Sequence, residues 1–121
     1  MIRKIECVCI PTDDIAASEA FYLSLGLRRG WTIERPQADG SVWTLIGLKF
    51  PDAHSSELVL SDSAEIRFTE IELAVDDVRA GFAALRNNPG VTWIREPFAT
   101  ESGHVAVMQA PDGNVFVLVG A

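Results

Sequence analysis

The sequence predicts an α+β protein in which two tandem βαβββ modules form one curved mixed sheet, a cup with the helices on its outer face. Three observations predict this fold class. A segment repeats about half-way along the chain, strand-like alternation surrounds two helical patterns, and turn residues separate the strands. The 121 residues, 48% of them hydrophobic, are enough for a single domain with its own core.

The repeat becomes visible when two ten-residue segments are aligned, ECVCIPTDDI from Glu6 to Ile15 and TEIELAVDDV from Thr69 to Val78. In each segment a strand with alternating apolar positions runs into a pair of aspartates, and a helical pattern follows. We therefore divide the chain into a first module of about residues 1–63 and a second of about residues 64–121.

Both helices are expected to begin at the aspartates, because an N-cap carboxylate accepts hydrogen bonds from first-turn amides. Either Asp13 or Asp14 begins the first helix, and Asp77 begins the second. Gly26 is predicted to end the first helix, and Asn87-Asn88-Pro89-Gly90 the second. Apolar stripes predict the faces that pack on the sheet, Ala17, Ala20, Phe21 and Leu25 in the first helix and Val78, Phe82 and Leu85 in the second.

Three further strands are predicted in each module, near residues 29–34, 42–49 and 57–60 and near residues 92–94, 104–109 and 115–119. Asp39-Gly40 and Pro111-Asp112-Gly113-Asn114 are turn sequences. Alternation along a strand assigns its two faces. The helix side receives Val8, Ile10, Ile71, Leu73 and Val75, and the opposite side Cys7, Cys9, Glu70 and Glu72.

Charge and hydropathy restrict the partners. A net charge of −7 disfavours nucleic acid and anionic membranes, because both bind basic surfaces, and it favours a neutral or cationic small molecule. No apolar run of about 18 residues and no secretory signal pattern is present, so we expect a cytoplasmic protein. Cys7 and Cys9 share a strand two residues apart, a separation at the edge of the disulfide range, and are expected to be reduced.

Two motifs resemble those of the vicinal oxygen chelate superfamily, which contains glyoxalases, bleomycin resistance proteins and extradiol dioxygenases. They are DDIAASEAFYLSLGL, from Asp13 to Leu27, and APDGNVFVLV, from Ala110 to Val119. With the repeat, the resemblance covers essentially the whole chain. It implies a small-molecule ligand on the concave side of the sheet and a homodimer, and in metal-using members one metal ligand on the first and last strand of each module.

The resemblance places these four ligand positions at Cys7, Glu57, Glu70 and Val117. Glu57 is the usual residue type, and Glu70 can serve as a ligand. A thiolate at Cys7 selects softer metals, and Val117 has no donor atom. The set is incomplete, so no metal ligand and no cofactor is predicted, although an atypical divalent metal site stays open.

Two functions of different classes follow. The first is a protein that binds an aromatic or cationic small molecule in the cup without a metal. The second is a lyase, isomerase, epimerase or dioxygenase-type enzyme in which Glu57 or Glu70 transfers a proton, with an atypical metal or none. Glu57 and Glu70 are the catalytic candidates, and the ligand-binding candidates are Cys7, Trp43, Glu72, His104, Met108 and Val117.

Each candidate also has a purely structural interpretation. Cys7 can be a small buried hydrophobic residue, Glu70 and Glu72 solvated strand positions, and Trp43 a core aromatic. His104 begins the seventh strand with Met108 in phase, so that both can line the rim of the cup. A lone histidine, however, is more often a satisfied polar side chain than a functional one.

Overall fold

The computed structural model describes residues 1–121 and contains eight strands and two helices. In chain order they are β1 (Ile2–Pro11), α1 (Ile15–Ser24), β2 (Arg28–Pro36), β3 (Val42–Lys49), β4 (Glu57–Ser61), β5 (Glu70–Val75), α2 (Val78–Leu85), β6 (Thr92–Thr100), β7 (Gly103–Gln109) and β8 (Val115–Gly120). The βαβββ order occurs twice, which confirms the predicted α+β class with two tandem modules. Neither helix is long and apolar enough to span a bilayer.

The chain forms two compact units, Cys7–Thr69 (the first unit) and Met1–Glu6 with Glu70–Ala121 (the second unit). In the first unit the strand order is β2-β3-β4-β1, with β1 parallel to β4 and the other pairs antiparallel. In the second unit the order is β5-β8-β7-β6, with β5 parallel to β8. The same mixed topology therefore occurs in both, and in each unit a helix and two strands connect the two parallel strands.

Both helices begin at an aspartate, as predicted. Asp14 caps α1 by accepting from Ala17 N at 3.0 Å, and Asp77 caps α2 by accepting from Ala80 N at 2.9 Å. Gly26 follows the end of α1 with a φ of 103°, a left-handed conformation that glycine adopts without strain. Local sequence signals thus determine where the helices start and stop.

β6 is longer than predicted, because it continues beyond residue 94 to Thr100. The register shifts between Trp93 and Arg95 and again between Arg95 and Phe98, so the apolar alternation is interrupted twice. Pro97 lies in the second irregularity, and β6 is the edge strand of its unit, where a residue without an N–H is tolerated. A period-two pattern could not follow the strand through these bulges.

The packing face predicted for α1 is wrong. Phe21 and Leu25 are 57% and 61% exposed, and the helix instead contacts the sheet through Ile15 and Tyr22. These two residues join a cluster of buried and half-buried side chains formed by Ile10, Leu27, Ile46, Leu48, Leu58 and Leu60. α1 is apolar nearly all round, so its pattern did not single out one face.

Contacts beyond the helix fix the rotation of α1. Thr12 Oγ1 and Ser18 Oγ are 2.6 Å apart, and Glu19 binds Arg29 on β2 through two hydrogen bonds of 2.6 Å. The Arg29 guanidinium holds the pKa of the Glu19 carboxyl below its usual range. The predicted face of α2, in contrast, is confirmed, because Val78 and Leu85 pack with Leu118 and Phe82 stacks edge-on with Trp93.

Candidate functional site

The sheet of the first unit has α1 on one side and a second apolar side opposite to it. Alternation along the four strands places eleven side chains and one glycine on that opposite side, which we call the indole face. It comprises Cys7, Cys9, Trp31, Ile33, Arg35, Trp43, Leu45, Gly47, Lys49, Glu57, Val59 and Ser61. Cys7, Cys9, Leu45 and Val59 are buried beneath the half-buried Trp31, Ile33 and Trp43.

Glu57, the first residue of β4, is the polar centre of this face. Its Oε2 accepts a hydrogen bond from Trp31 Nε1 at 3.0 Å, and Lys49 Nζ lies 3.7 Å from the same oxygen. Its side chain is 21% exposed and that of Lys49 is 44% exposed. An indole N–H from β2 and an ammonium from β3 therefore converge on one carboxylate oxygen of β4.

Two glycines make this convergence possible. Trp31 is paired with Gly47, and a Cβ at position 47 would lie only 2.0 Å from Trp31 Cε2 and 2.1 Å from Nε1. The indole therefore crosses β3 where β3 has no side chain and reaches Glu57 beyond it. Gly30 lies at the register shift in β2, and a Cβ there would meet Lys49 Cε at 2.8 Å. The Lys49 chain thus occupies the space above a second glycine.

Trp43 lies four residues before Gly47 along β3. Its Nε1 donates to Ser61 Oγ at 2.8 Å, and the Arg35 guanidinium carbon lies 4.6 Å from the ring centroid. Trp31 and Trp43 are thus both anchored to β4 through their N–H groups. The sequence favoured Trp43 among the three tryptophans as a ligand residue and did not single out Trp31 or Lys49. Glycines inside two predicted strands were the signal that could have indicated both.

Cys7 lies opposite Glu57 in the parallel pair of β1 and β4, on the same face. It is 4% exposed and packs in the apolar cluster with Cys9, and neither cysteine forms a disulfide. Its thiol therefore lies beneath the surface of the indole face rather than on it. Of the sequence-predicted residues, Cys7, Trp43 and Glu57 are brought together here.

Glu70, Glu72 and Val117 belong to the second unit and share the side of its sheet opposite α2. Glu72 pairs with Val117, which pairs in turn with Val107, and Val117 is 6% exposed. Glu70 is half-buried at the start of β5, and burial raises the pKa of its carboxyl above the usual value. The cause of this shift is that burial solvates the ionised carboxylate less well than water does.

His104 and Met108 point to the other side of that sheet. Met108 is 7% exposed and packs with Val78 of α2, and His104 Nε2 lies 2.8 Å from an Arg79 side-chain nitrogen of the same helix. Ala106, between them on β7, is fully buried in the same cluster. Both residues contact α2, and neither belongs to the indole face.

The residues at the expected metal positions do not fit the usual divalent ion. Val117 offers only hydrocarbon, the Cys7 thiol is buried among apolar side chains, and Glu57 already faces the Lys49 ammonium. No group of three or more His, Cys, Asp and Glu side chains is arranged to hold a metal ion. A hard divalent cation needs about six oxygen or nitrogen donors, and these residues do not supply them.

Comparison with known proteins supports the fold. Neither a protein-family model nor a curated protein sequence matches the chain. A hypothetical protein from Bacillus halodurans C-125 is similar with a TM-score of 0.77 and 19% identity, over 98% of this chain and 94% of that one. A variant methylmalonyl-CoA epimerase from Streptomyces coelicolor, in complex with 2-nitronate-propionyl-CoA, has a TM-score of 0.76 and 21% identity, over 100% of this chain and 96% of that one. Methylmalonyl-CoA epimerase from Mycobacterium tuberculosis has a TM-score of 0.74 and 18% identity, over 98% of this chain and 88% of that one. The chain therefore shares the fold of these proteins, as the resemblance of its motifs implies.

Replacement of Gly47 by alanine is expected to disrupt the indole face. The new Cβ would overlap Trp31 Cε2 at 2.0 Å, so the ring must leave Gly47 and lose its hydrogen bond to Glu57. Overpacking of this kind costs about 1 to 3 kcal/mol. Thermal and urea denaturation measure the loss of stability, and near-ultraviolet circular dichroism measures the changed tryptophan environment.

The matched control for Gly47→Ala is Gly81→Ala in α2, where a Cβ would meet no atom within 4 Å. This replacement should stabilise the protein by roughly 0.5 to 1 kcal/mol, because alanine loses less backbone entropy than glycine in a helix. A Gly47→Ala protein with unchanged stability and an unchanged tryptophan spectrum would contradict the proposed role of Gly47.

Glu70→Gln should stabilise the protein at neutral pH. The pKa of Glu70 is raised above 4.5 by burial, so its contribution to stability is fully present below that pH and is lost as the pH rises through the folded-state pKa. Glutamine removes the cost of the ionised form at neutral pH and has little effect in acid. Urea denaturation at neutral and acid pH measures the difference, with Glu96→Gln at an exposed position as the control. An equal effect of Glu70→Gln at both pH values would refute this assignment.

Proposed function

We propose that this protein binds a small planar organic molecule on the indole face, without the divalent metal expected from the superfamily pattern. The observation that carries the proposal is the pair of anchored tryptophans. Trp31 donates a hydrogen bond to Glu57 and Trp43 donates one to Ser61, on the same side of one sheet. Because the anchored rings are already restricted in their motion, these two side chains lose little further conformational entropy when a ligand stacks on them.

The composition of the face supports a ligand rather than a plain core. Ligand sites are mostly apolar with a few convergent polar groups, and here Glu57, Lys49 and Ser61 accompany the apolar cluster. A strand selected only for stability would carry a β-branched or aromatic residue at position 47. The glycine found there makes room for an indole that reaches a carboxylate.

The charges of the indole face favour an anionic or neutral ligand over a cationic one. The whole chain has 17 acidic and 10 basic residues, whereas the charged residues of this face are the basic Arg35 and Lys49 and the acidic Glu57. The net charge of −7 suggested a neutral or cationic ligand, and the local balance is the reverse. Since charges act mainly within about 10 Å at moderate salt, the local balance carries more weight for a bound small molecule.

We also propose that the protein acts in the cytoplasm and does not bind nucleic acid. Neither cysteine is part of a disulfide, which fits a reducing compartment. The net charge of −7 opposes association with a polyanion such as DNA or RNA.

A second candidate function is that of an epimerase or isomerase. The fold is shared with methylmalonyl-CoA epimerases, and burial brings the pKa of Glu70 closer to the range in which a carboxyl group exchanges protons near neutral pH. Glu70 would remove a proton from the carbon next to a carbonyl, and a proton would then return to that carbon, so no other reactant is consumed.

Solvent exchange distinguishes this candidate from binding alone. With a 2-methyl-branched acyl thioester in D2O, an epimerase incorporates deuterium at the carbon next to the carbonyl, which NMR detects. Exchange that is lost in Glu70→Gln and kept in Glu96→Gln supports the second candidate. Wild-type protein that produces no exchange rules it out for this substrate class and leaves the binding function as proposed.

The binding proposal is tested by calorimetric titration with three naphthyl probes of matched shape, 2-naphthoate, 2-naphthylmethanol and 2-naphthylmethylamine. We expect the anion and the neutral probe to bind more tightly than the cation. Trp43→Ala and Trp31→Ala should each weaken binding about tenfold or more, since stacking on an aromatic side chain contributes roughly 1 to 3 kcal/mol. Trp93→Phe is the matched control, because Trp93 stacks on Phe82 beside α2.

The charge preference has its own matched pair, because Lys4 and Lys49 are the only lysines of the chain. Lys49→Gln should remove the preference for naphthoate over the neutral probe, and Lys4→Gln should leave it intact. If no probe binds, or if Trp93→Phe weakens binding as much as Trp43→Ala does, the indole face is not the site. Binding with no preference by charge removes the role of Lys49 but not that of the tryptophans.

A further inference from the structure

Arg28, the first residue of β2, lies at the margin of the indole face. It is the direct cross-strand partner of Lys49, and directly opposite residues of two antiparallel strands point to the same side of the sheet. The next residue, Arg29, points to the helix side, where it binds Glu19 of α1. Because successive side chains of a strand alternate, Arg28 places a second cation beside Lys49 on the side of the indole face.

Arg28 is also the one basic residue whose side chain has no partner in the chain. Of the 10 lysines and arginines, nine contact an acidic, aromatic or histidine side chain, as Arg67 contacts Asp13 and Arg79 contacts His104. The Arg28 side chain has no hydrogen bond, ion pair or ring contact, and the residue is exposed. Its guanidinium is therefore available to a bound molecule.

The pairing of Arg28 with Lys49 is unfavourable in the free protein. Like charges directly opposite each other on neighbouring strands repel and reduce stability. Lys49 is compensated, since its Nζ lies 3.7 Å from Glu57 Oε2, but Arg28 has no carboxylate of its own. A bound molecule with an acidic group would supply the missing negative charge.

We propose that Arg28 binds the acidic group of the ligand and that the ligand is a planar aromatic carboxylic acid. This inference rests on the proposed function, because Trp31 and Trp43 supply the surface on which the ring stacks. A guanidinium presents two parallel N–H groups that match the two oxygens of a carboxylate. The Lys49 ammonium has three N–H donors, so it contacts the same acid while it stays beside Glu57.

The charges at this end of the indole face select a singly charged acid. Arg28 and Lys49 are positive and Glu57 is negative, so one positive charge is left. One carboxylate neutralises that charge, whereas a phosphate monoester with two negative charges exceeds it and is repelled by Glu57. Arg35 does not enter this balance, because it lies over Trp43, roughly 20 Å from Lys49 along β3.

The register of β3 limits the distance between the stacked ring and the acid. The Trp31 indole lies over Gly47, and Lys49 follows Gly47 by two residues on the same side of the strand. Alternate residues of a strand are about 7 Å apart, which is close to the length of two fused aromatic rings. The acid is therefore expected to be attached directly to a ring system of this size, as in 2-naphthoate.

Calorimetric titration of Arg28→Gln with 2-naphthoate and with the neutral 2-naphthylmethanol tests the role of Arg28. The affinity for naphthoate should fall about tenfold or more, since hydrogen bonds between opposite charges are lost, and the affinity for naphthylmethanol should change little. Added salt should weaken the binding of naphthoate to the wild type more than to Arg28→Gln. Arg86→Gln, at the C-cap of α2, is the matched control and should bind both probes as the wild type does.

A second variant and a third probe test the geometry and the charge of the recognised group. Arg28→Lys keeps the positive charge but not the two parallel N–H groups, so its affinity for naphthoate should lie between those of the wild type and Arg28→Gln. 2-Naphthyl phosphate, which carries two negative charges at about pH 8, should bind more weakly than naphthoate. Thermal denaturation establishes that Arg28→Gln is folded, and loss of the repulsion should leave it at least as stable as the wild type.

The outcomes separate the role of Arg28 from the proposed function. If naphthylmethanol binds with the expected loss in Trp43→Ala, but folded Arg28→Gln binds naphthoate as tightly as the wild type, only the role of Arg28 is overturned. Naphthyl phosphate that binds more tightly than naphthoate overturns the choice of a singly charged acid. If neither naphthoate nor naphthylmethanol binds, the proposed function fails and the inference about Arg28 fails with it.

Discussion

The hydrogen bond from Trp31 to Glu57 is the interaction on which the candidate site depends. It joins β2 to β4 across β3, and it exists only because Gly47 leaves the space between them empty. The Lys49 ammonium approaches the same carboxylate over a second glycine, Gly30. The two glycines, which have no side chain, thus leave the space in which a polar centre forms on an apolar face.

This arrangement changes the role expected for Glu57. In the resemblance it is a metal ligand, and in this chain it is the acceptor that positions an indole. The same residue type at the same place in the fold can therefore serve a different purpose once its neighbours change. Val117 cannot coordinate a metal and the Cys7 thiol is buried, so two of the four expected metal positions offer no accessible ligand. The surroundings of Glu57 therefore form an aromatic surface rather than a metal centre.

The first unit uses apolar residues on three surfaces rather than one. The cluster beneath α1 is an ordinary core, the indole face lies on the other side of the sheet, and Phe21 of α1 and its C-cap Leu25 are exposed. A core alone does not require the last two. Large apolar side chains that stay in water forgo the stabilisation that burial gives to the core residues.

The sequence by itself determined the two-module α+β fold, the helix starts at Asp13 or Asp14 and at Asp77, the stop at Gly26 and the lack of a ligand atom at Val117. These features depend on local chemistry, which neighbouring residues specify. Only the tertiary structure decided that α1 turns Phe21 outward and that Trp31 reaches Glu57. Those outcomes depend on contacts between distant segments, such as Glu19 with Arg29 and Trp31 with a residue 26 positions away. Periodicity shows which residues are apolar, but the choice among several apolar faces is made by the partners that the fold brings to them.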